Sequence, residues 1–191
     1  MNLNSIEILK YLIINNGKNL TIKDISQGIN KDYKNTFNNV KNLSKENILE
    51  IEKIGNSNIV KPIKNPNPYF FSAEYSRRED ILENKKIKNI FNVLKRLYFP
   101  QIVLLFGSYG KNTYNKHSDI DLLIISDEKY HEKIESKLNI LPYDIHSIYL
   151  TFEEFVDSLL SKEFTVVSEA IKQNIILIGI EEYYNLLTRI K

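Results

Sequence analysis

Residues 103–121 constrain this chain most. Val103, Leu104, Leu105 and Phe106 form a continuous apolar run, the pattern of a strand covered on both faces, and Gly107-Ser108 stops it abruptly. Eleven positions beyond Ser108, Asp119 and Asp121 bracket Ile120 at the head of a second apolar run that ends at Ile125. Residues two apart on a strand share a face, so both carboxylates project together while Ile120, Leu122 and Ile124 project the other way. Two acids aimed together repel unless a cation lies between them. Mg2+ accepts hard carboxylate oxygens and keeps room for water and phosphate. Gly107 stands where backbone can approach a ligand closely.

Gly107-Ser108 after an apolar strand, a short helix-forming spacer, and Asp119-Ile120-Asp121 at the start of the next strand resemble the signature of the nucleotidyltransferase superfamily. That superfamily includes DNA polymerase beta, and this chain is most similar to its minimal nucleotidyltransferases. The resemblance covers about residues 85–190 and implies a small mixed-sheet domain covered by helices. It implies that Gly107 and Ser108 cradle an incoming triphosphate, with Lys111 nearby as a charge contact. It also implies a third carboxylate on a neighbouring strand, and Asp144 in LPYDIHSIYL, residues 141–150, supplies one. Asp119, Asp121 and Asp144 would then hold Mg2+, with Mn2+ as the alternative ion and ATP as the nucleotide. Asp144 would serve the metal that activates the acceptor. His146 shares a strand face with Asp144 and reads as a satisfied polar histidine at the sheet edge; His117 and His131 are assigned no role. The family places Ala, a basic residue and Gly where this chain has Gly110, Lys111 and Asn112. Asn tolerates the left-handed backbone better than most residues, so Asn112 is a conservative replacement.

Upstream, Ile6, Leu9, Leu12 and Ile13 recur at helical spacing after Ser5, a candidate cap. Thr21 with Asp24 three positions on forms a capping box for a second helix, and Tyr33, Phe37, Val40 and Leu43 stripe a third. Leu49 and Ile51 alternate with Glu50 and Glu52, the chain turns at Gly55-Asn56-Ser57, and Ile59 and Val60 return. Three helices and a hairpin resemble the winged helix-turn-helix family, over about residues 4–64. The resemblance implies a presented third helix carrying Lys31, Lys34, Asn38 and Lys41, with Lys53 and Lys61 near the wing. DNA contact and plain solvation of an Asn- and Lys-rich helix both remain open. The absence of Arg before position 77 removes the favoured guanine reader.

Pro62, Pro66 and Pro68 within seven residues disfavour regular structure and mark a connection, and Tyr69, Phe70, Phe71 and Tyr75 read as packing aromatics. The expected organisation is an α+β chain with a winged helix domain at 1–65, a linker at 66–76 and a nucleotidyltransferase domain at 77–191. A helix is expected over REDILENKKIKNIFNVLKRL, striped by Ile81, Ile87, Ile90, Leu94 and Leu97. Further helices are expected around Tyr130–Leu138, after Thr151 with Glu154 in a second capping box, through Phe164, Val167 and Ala170, and over EEYYNLLTRIK.

Residues 1–66 hold 10 Lys against 6 acidic residues, and residues 67–191 hold 16 Lys plus Arg against 18 acidic, a split of +4 and −2 between the two parts. Cysteine is absent, which excludes disulfide scaffolds and thiolate chemistry and suits a cytoplasmic protein. No apolar run approaches the roughly 18 residues of a membrane span. Three functions follow from the resemblances. One is an antitoxin-like enzyme that moves AMP from ATP to a partner protein such as a cognate toxin. The second is a DNA-binding regulator with a nucleotide-sensing or inactive domain. The third is a transferase acting on a small molecule or an RNA end. A homodimer is compatible with each.

Overall fold

Side-chain caps set the first helix boundaries. The structure, a computed structural model, describes residues 2–55, 57–63, 66–161 and 165–188, and the chain divides into two units, Met1–Ser76 and Arg77–Lys191. Helix α1, Leu3–Ile14, starts at Asn2, whose side chain accepts from Asn4 N at 2.7 Å, so the expected cap Ser5 lies inside the helix and is buried. The Thr21 box is present: Thr21 Oγ1 accepts from Asp24 N at 3.2 Å and Asp24 Oδ2 accepts from Thr21 N at 2.8 Å, opening α2, Ile22–Gly28. These bonds to Thr21 hold the Asp24 carboxyl below its usual range.

Helix α3, Tyr33–Lys45, is capped by Asp32, which accepts from Asn35 N at 2.9 Å. Its buried stripe is Thr36, Val40 and Leu43, while Tyr33 is 52% exposed. The expected stripe is thus rotated. Thr36 can turn inward because its hydroxyl donates to Asp32 O at 2.9 Å, which satisfies the buried polar atom. Strands β2, Leu49–Ile54, and β3, Ser57–Pro62, pair antiparallel with Ile51 opposite Val60. Strand β1, Leu20–Thr21, joins the other edge of β3, giving the order β1-β3-β2. Ile8, Leu9, Ile25, Val40, Leu49 and Val60 are at most 1% exposed, and each such side chain contributes about 1.5–3 kcal/mol of transfer free energy.

The proline-rich stretch ends in a helix. In α4, Pro68–Ile81, Pro68 takes the first helical position, where its missing N–H would have had no partner, and Asn67 Oδ1 accepts from Phe70 N at 3.0 Å. The apolar stripe that follows is split. Asn84 caps a separate helix α5, Lys85–Lys95, accepting from Lys86 N at 3.0 Å and Ile87 N at 3.4 Å.

The second unit is built on a four-stranded mixed sheet in the order β6-β5-β4-β7. Strands β4, Gln101–Phe106, and β5, Ile120–Ser126, pair antiparallel, joined through the single-turn helix α6, Gly107–Gly110. Strand β6, Ile145–Leu150, runs parallel to β5, and β7, Ile175–Ile178, runs antiparallel to β4. After a 3-10 turn at Glu128–Tyr130 comes α7, His131–Leu138. Ile87, Ile90 and Leu94 of α5 and Ile134 and Leu138 of α7 pack with Val103, Leu105, Ile120, Leu122 and Ile124 in one apolar cluster on one face of the sheet. Leu104, Leu123, Ile125 and Ile176 alternate with that set and are fully buried as well. Helices α8, Phe152–Leu160, α9, Val166–Lys172, and α10, Ile180–Thr188, contact the strands as further cover. The Thr151–Glu154 box opens α8 as expected, at 3.1 and 2.8 Å. Phe164, expected within the next helix, lies outside the described residues.

Candidate active site

Register places the acids. Ile120 pairs with Ile145 in the parallel ladder, and Ile120 N donates to Asp144 O at 3.0 Å, so Asp119 and Asp144 stand side by side, each one residue ahead of its strand. Two residues later on the same face, Asp121 opposes His146. Donor atoms of Asp119, Asp144 and His146 lie within 4.8 Å of one another, all three side chains exposed. His146 also ties in Asp121: its Nδ1 is 3.8 Å from Asp121 Oδ1 and its Nε2 is 3.5 Å from Asp144 Oδ1. The structure therefore brings Asp119, Asp121 and Asp144 to one end of the sheet and adds a histidine between two of them.

The Gly-Ser turn abuts this cluster. Asp121 pairs with Phe106, and its carboxylate lies directly over Gly107. Gly107 has φ +61°, and a Cβ there would stand 2.0 Å from Asp121 Oδ2. The glycine is thus required twice, by backbone conformation and by the room its missing side chain leaves for an acid. The room expected to admit a ligand is taken first by Asp121. Asp121 is 29% exposed, and burial raises its carboxyl above the usual range; Asp119 and Glu169 push the same way, while His146 and Lys111 oppose them.

The spacer is ordered by local bonds. Tyr109 is buried and stacks on Tyr114 with ring centroids 4.3 Å apart. Lys111 N donates to Gly107 O at 3.1 Å, Asn112 N to Tyr109 O at 3.1 Å and Thr113 N to Ser108 O at 2.9 Å. Asn112 has φ +56°, the left-handed conformation anticipated for it. Ser118 Oγ accepts from Asn115 N at 2.9 Å just before Asp119. The Lys111 ammonium reaches Glu169 of α9.

In the first unit, Lys34, Asn38, Lys41 and Lys53 are exposed. Lys41 sits 4.7 Å above the Phe37 ring, Lys31 pairs with Glu7 at 3.4 Å, and Lys61 pairs with Glu52. Two of the anticipated cations are therefore partly neutralised within the unit. Among the described residues no helix is long and apolar enough to cross a membrane.

Comparison with known proteins agrees with the second unit's geometry. Residues 85–178 match the family model of the nucleotidyltransferase domain. Over 47 residues the chain is 47% identical to a protein of Methanocaldococcus jannaschii named as a protein adenylyltransferase. That stretch is 24% of this chain and 47% of the other protein, so the match spans about half of the relative's length. The matched stretch falls in the second unit and takes in the strands β4 to β7, the Gly107 turn and the acids described above.

Proposed function

We propose that this chain transfers AMP from ATP to a hydroxyl of a partner protein in a divalent-metal-dependent reaction that releases pyrophosphate. The observation that carries the proposal is the convergence of Asp119, Asp121 and Asp144, with His146, at the Gly107 turn. The domain match supports nucleotidyl transfer, and the relative named for adenylyl transfer to protein supports ATP as donor and protein as acceptor. An antitoxin acting on a cognate toxin is one such pairing.

The donor set fits a divalent cation. Asp119 and Asp144 offer hard oxygens and His146 an imidazole nitrogen, a combination that suits Mn2+ as well as Mg2+. When bound, such an ion supplies Lewis-acid polarisation of phosphate and acceptor oxygens. The chain's residues have separable tasks. Gly107 and Ser108 form the turn against which the triphosphate lies, Lys111 offers a positive charge to it, and Asp119 and Asp121 would hold a divalent cation that neutralises its reacting end. Asp144 stands on the acceptor side and takes up the hydroxyl proton. His146, beside Asp121 and Asp144, would complete the ion's donor set through one ring nitrogen. In the step itself the acceptor oxygen bonds to the α-phosphorus, the bond from that phosphorus to the bridging oxygen breaks, and pyrophosphate leaves with the electron pair.

The test is incubation with α-labelled ATP, GTP, CTP and UTP in Mg2+ with host lysate. Label from ATP on a protein supports the proposal. Label on RNA or a small molecule moves the acceptor to the alternative class, and tight binding without label moves the chain to a nucleotide sensor.

A second reading concerns the first unit, which we take as a winged helix that contacts DNA through α3. Exposed Lys34, Asn38 and Lys41 on that helix, with Lys53 near the hairpin turn, favour it. Binding to upstream DNA should weaken steeply with salt, and Lys34→Ala should lower the slope of log K against log salt by about 1. A slope unchanged by both Lys34→Ala and Lys41→Ala would remove α3 from the interface.

A further inference from the structure

Lys111 follows the phosphate-side turn, and its ammonium is already engaged by Glu169 of α9. Neither the strands nor the three aspartates require that carboxylate. The two side chains are 41% and 37% exposed, so the pair sits at the rim of the site where a ligand can reach it. Both charges are felt by Asp121, Lys111 favouring its ionised form and Glu169 opposing it, which sets the pair within electrostatic range of the cluster.

Glu169 is held there by the way α9 docks. Gly110 has no side chain to keep α9 away: a Cβ at that position would stand 3.0 Å from Gln173 O and 3.1 Å from Leu105 O. The absent side chain admits the close approach of the segment after α9. That segment is itself fixed. Asn174 Nδ2 donates to Ala170 O at 2.6 Å, and Arg77, only 5% exposed, donates to Asn174 O at 2.5 Å. Glu169 therefore rides on a helix whose end is anchored against the turn that carries Lys111.

We propose that Glu169 is an internal counter-ion that occupies Lys111 until a triphosphate displaces it, and so sets the affinity of this site for phosphorylated nucleosides. The inference rests on the reading that the Gly107–Lys111 turn receives a triphosphate. A ligand with several phosphate charges competes successfully for the ammonium, whereas a nucleoside without phosphate gains nothing from it and leaves the pair closed. Glu169 is a positioning residue in this scheme, acting through Lys111.

The experiment measures the dissociation constants of a methylene-bridged, non-transferable ATP analogue with Mg2+ and of adenosine, for the full chain and its variants. For Glu169→Gln, loss of a half-exposed competing ion pair should tighten the ATP analogue by about two- to five-fold and leave adenosine unchanged. In a Lys111→Met background the same substitution should do nothing, because the ammonium it frees is gone. Glu169→Ala should repeat the Gln result, which guards against an effect special to the amide. Unchanged or weaker analogue binding in Glu169→Gln, equal tightening of adenosine, or tightening that survives in Lys111→Met would each overturn the inference. Wild-type chain that binds no ATP analogue overturns the parent reading along with it, whereas analogue binding indifferent to Glu169 overturns this inference alone.

Discussion

Gly107→Ala isolates the geometric requirement of the site. The added Cβ would stand 2.0 Å from Asp121 Oδ2 and 2.9 Å from Asp121 Cγ, where ordinary contact begins at 3.4 Å, so the carboxylate oxygen must recede from 2.0 Å toward 3.4 Å. A displacement on the order of 1 Å at a reacting centre lowers rates by about 10²-fold. The backbone adds its own penalty, since φ is +61° and an L-residue there costs about 1–2 kcal/mol. Gly55→Ala supplies the control: φ is +59°, but nothing lies within 4 Å of its Cβ position. Both variants should lose similar stability in urea titrations, about 1–2 kcal/mol each, while only Gly107→Ala loses nucleotidyl transfer, by about 10²-fold or more. Transfer is read as label from α-labelled ATP per unit time. If Gly107→Ala transfers as fast as Gly55→Ala, the placement of Asp121 over the turn is not what the reaction needs.

Other substitutions separate stability from chemistry. Burial raises the Asp121 carboxyl, and a group whose folded pKa lies above its unfolded value of about 3.9 stabilises the fold fully below that value and loses this contribution as pH rises through the folded pKa. Asp121→Asn, which does not ionise, should therefore be more stable than wild type at pH 7, with the difference shrinking toward pH 3 in urea titrations; a less stable variant at pH 7 would contradict this. Asp144→Asn should lower transfer by about 10²-fold or more while changing little the ATP-analogue affinity measured without divalent cation, and equal loss of both would argue against its acceptor-side role. Asn84→Ala removes the cap of α5 and should cost about 1 kcal/mol, which Asn84→Asp should largely spare, as read by chemical denaturation.

The parts of the site that are local in sequence were legible before the structure. The apolar run stopping at Gly107 and the two-residue spacing of Asp119 and Asp121 follow from strand periodicity alone, and Asn112 follows from the tolerance of Asn for left-handed backbone. His146 was not legible as a site residue because its position depends on register between strands. Once Ile120 is set against Ile145, Asp119 and Asp121 on one strand meet Asp144 and His146 on the next, and the matching spacing of the two pairs was the available signal. The break between α4 and α5 was hidden by a stripe of apolar residues that runs across it, although Asn84 carried the capping signal. Spacing alone points Tyr33 to the core, yet the inward face belongs to Thr36, whose hydroxyl finds a backbone acceptor. Strand β1 spans two residues, too few to show any period.

Mn2+ binding followed by electron paramagnetic resonance, with and without the non-transferable ATP analogue, tests the central claim most directly. Wild-type chain should take up Mn2+ more tightly when the analogue is present. Combined Asp119→Asn and Asp144→Asn substitution should abolish that uptake while leaving the fold intact by circular dichroism. Undiminished Mn2+ uptake in the doubly substituted chain would contradict the assignment of these two strand-end acids as the ion's ligands.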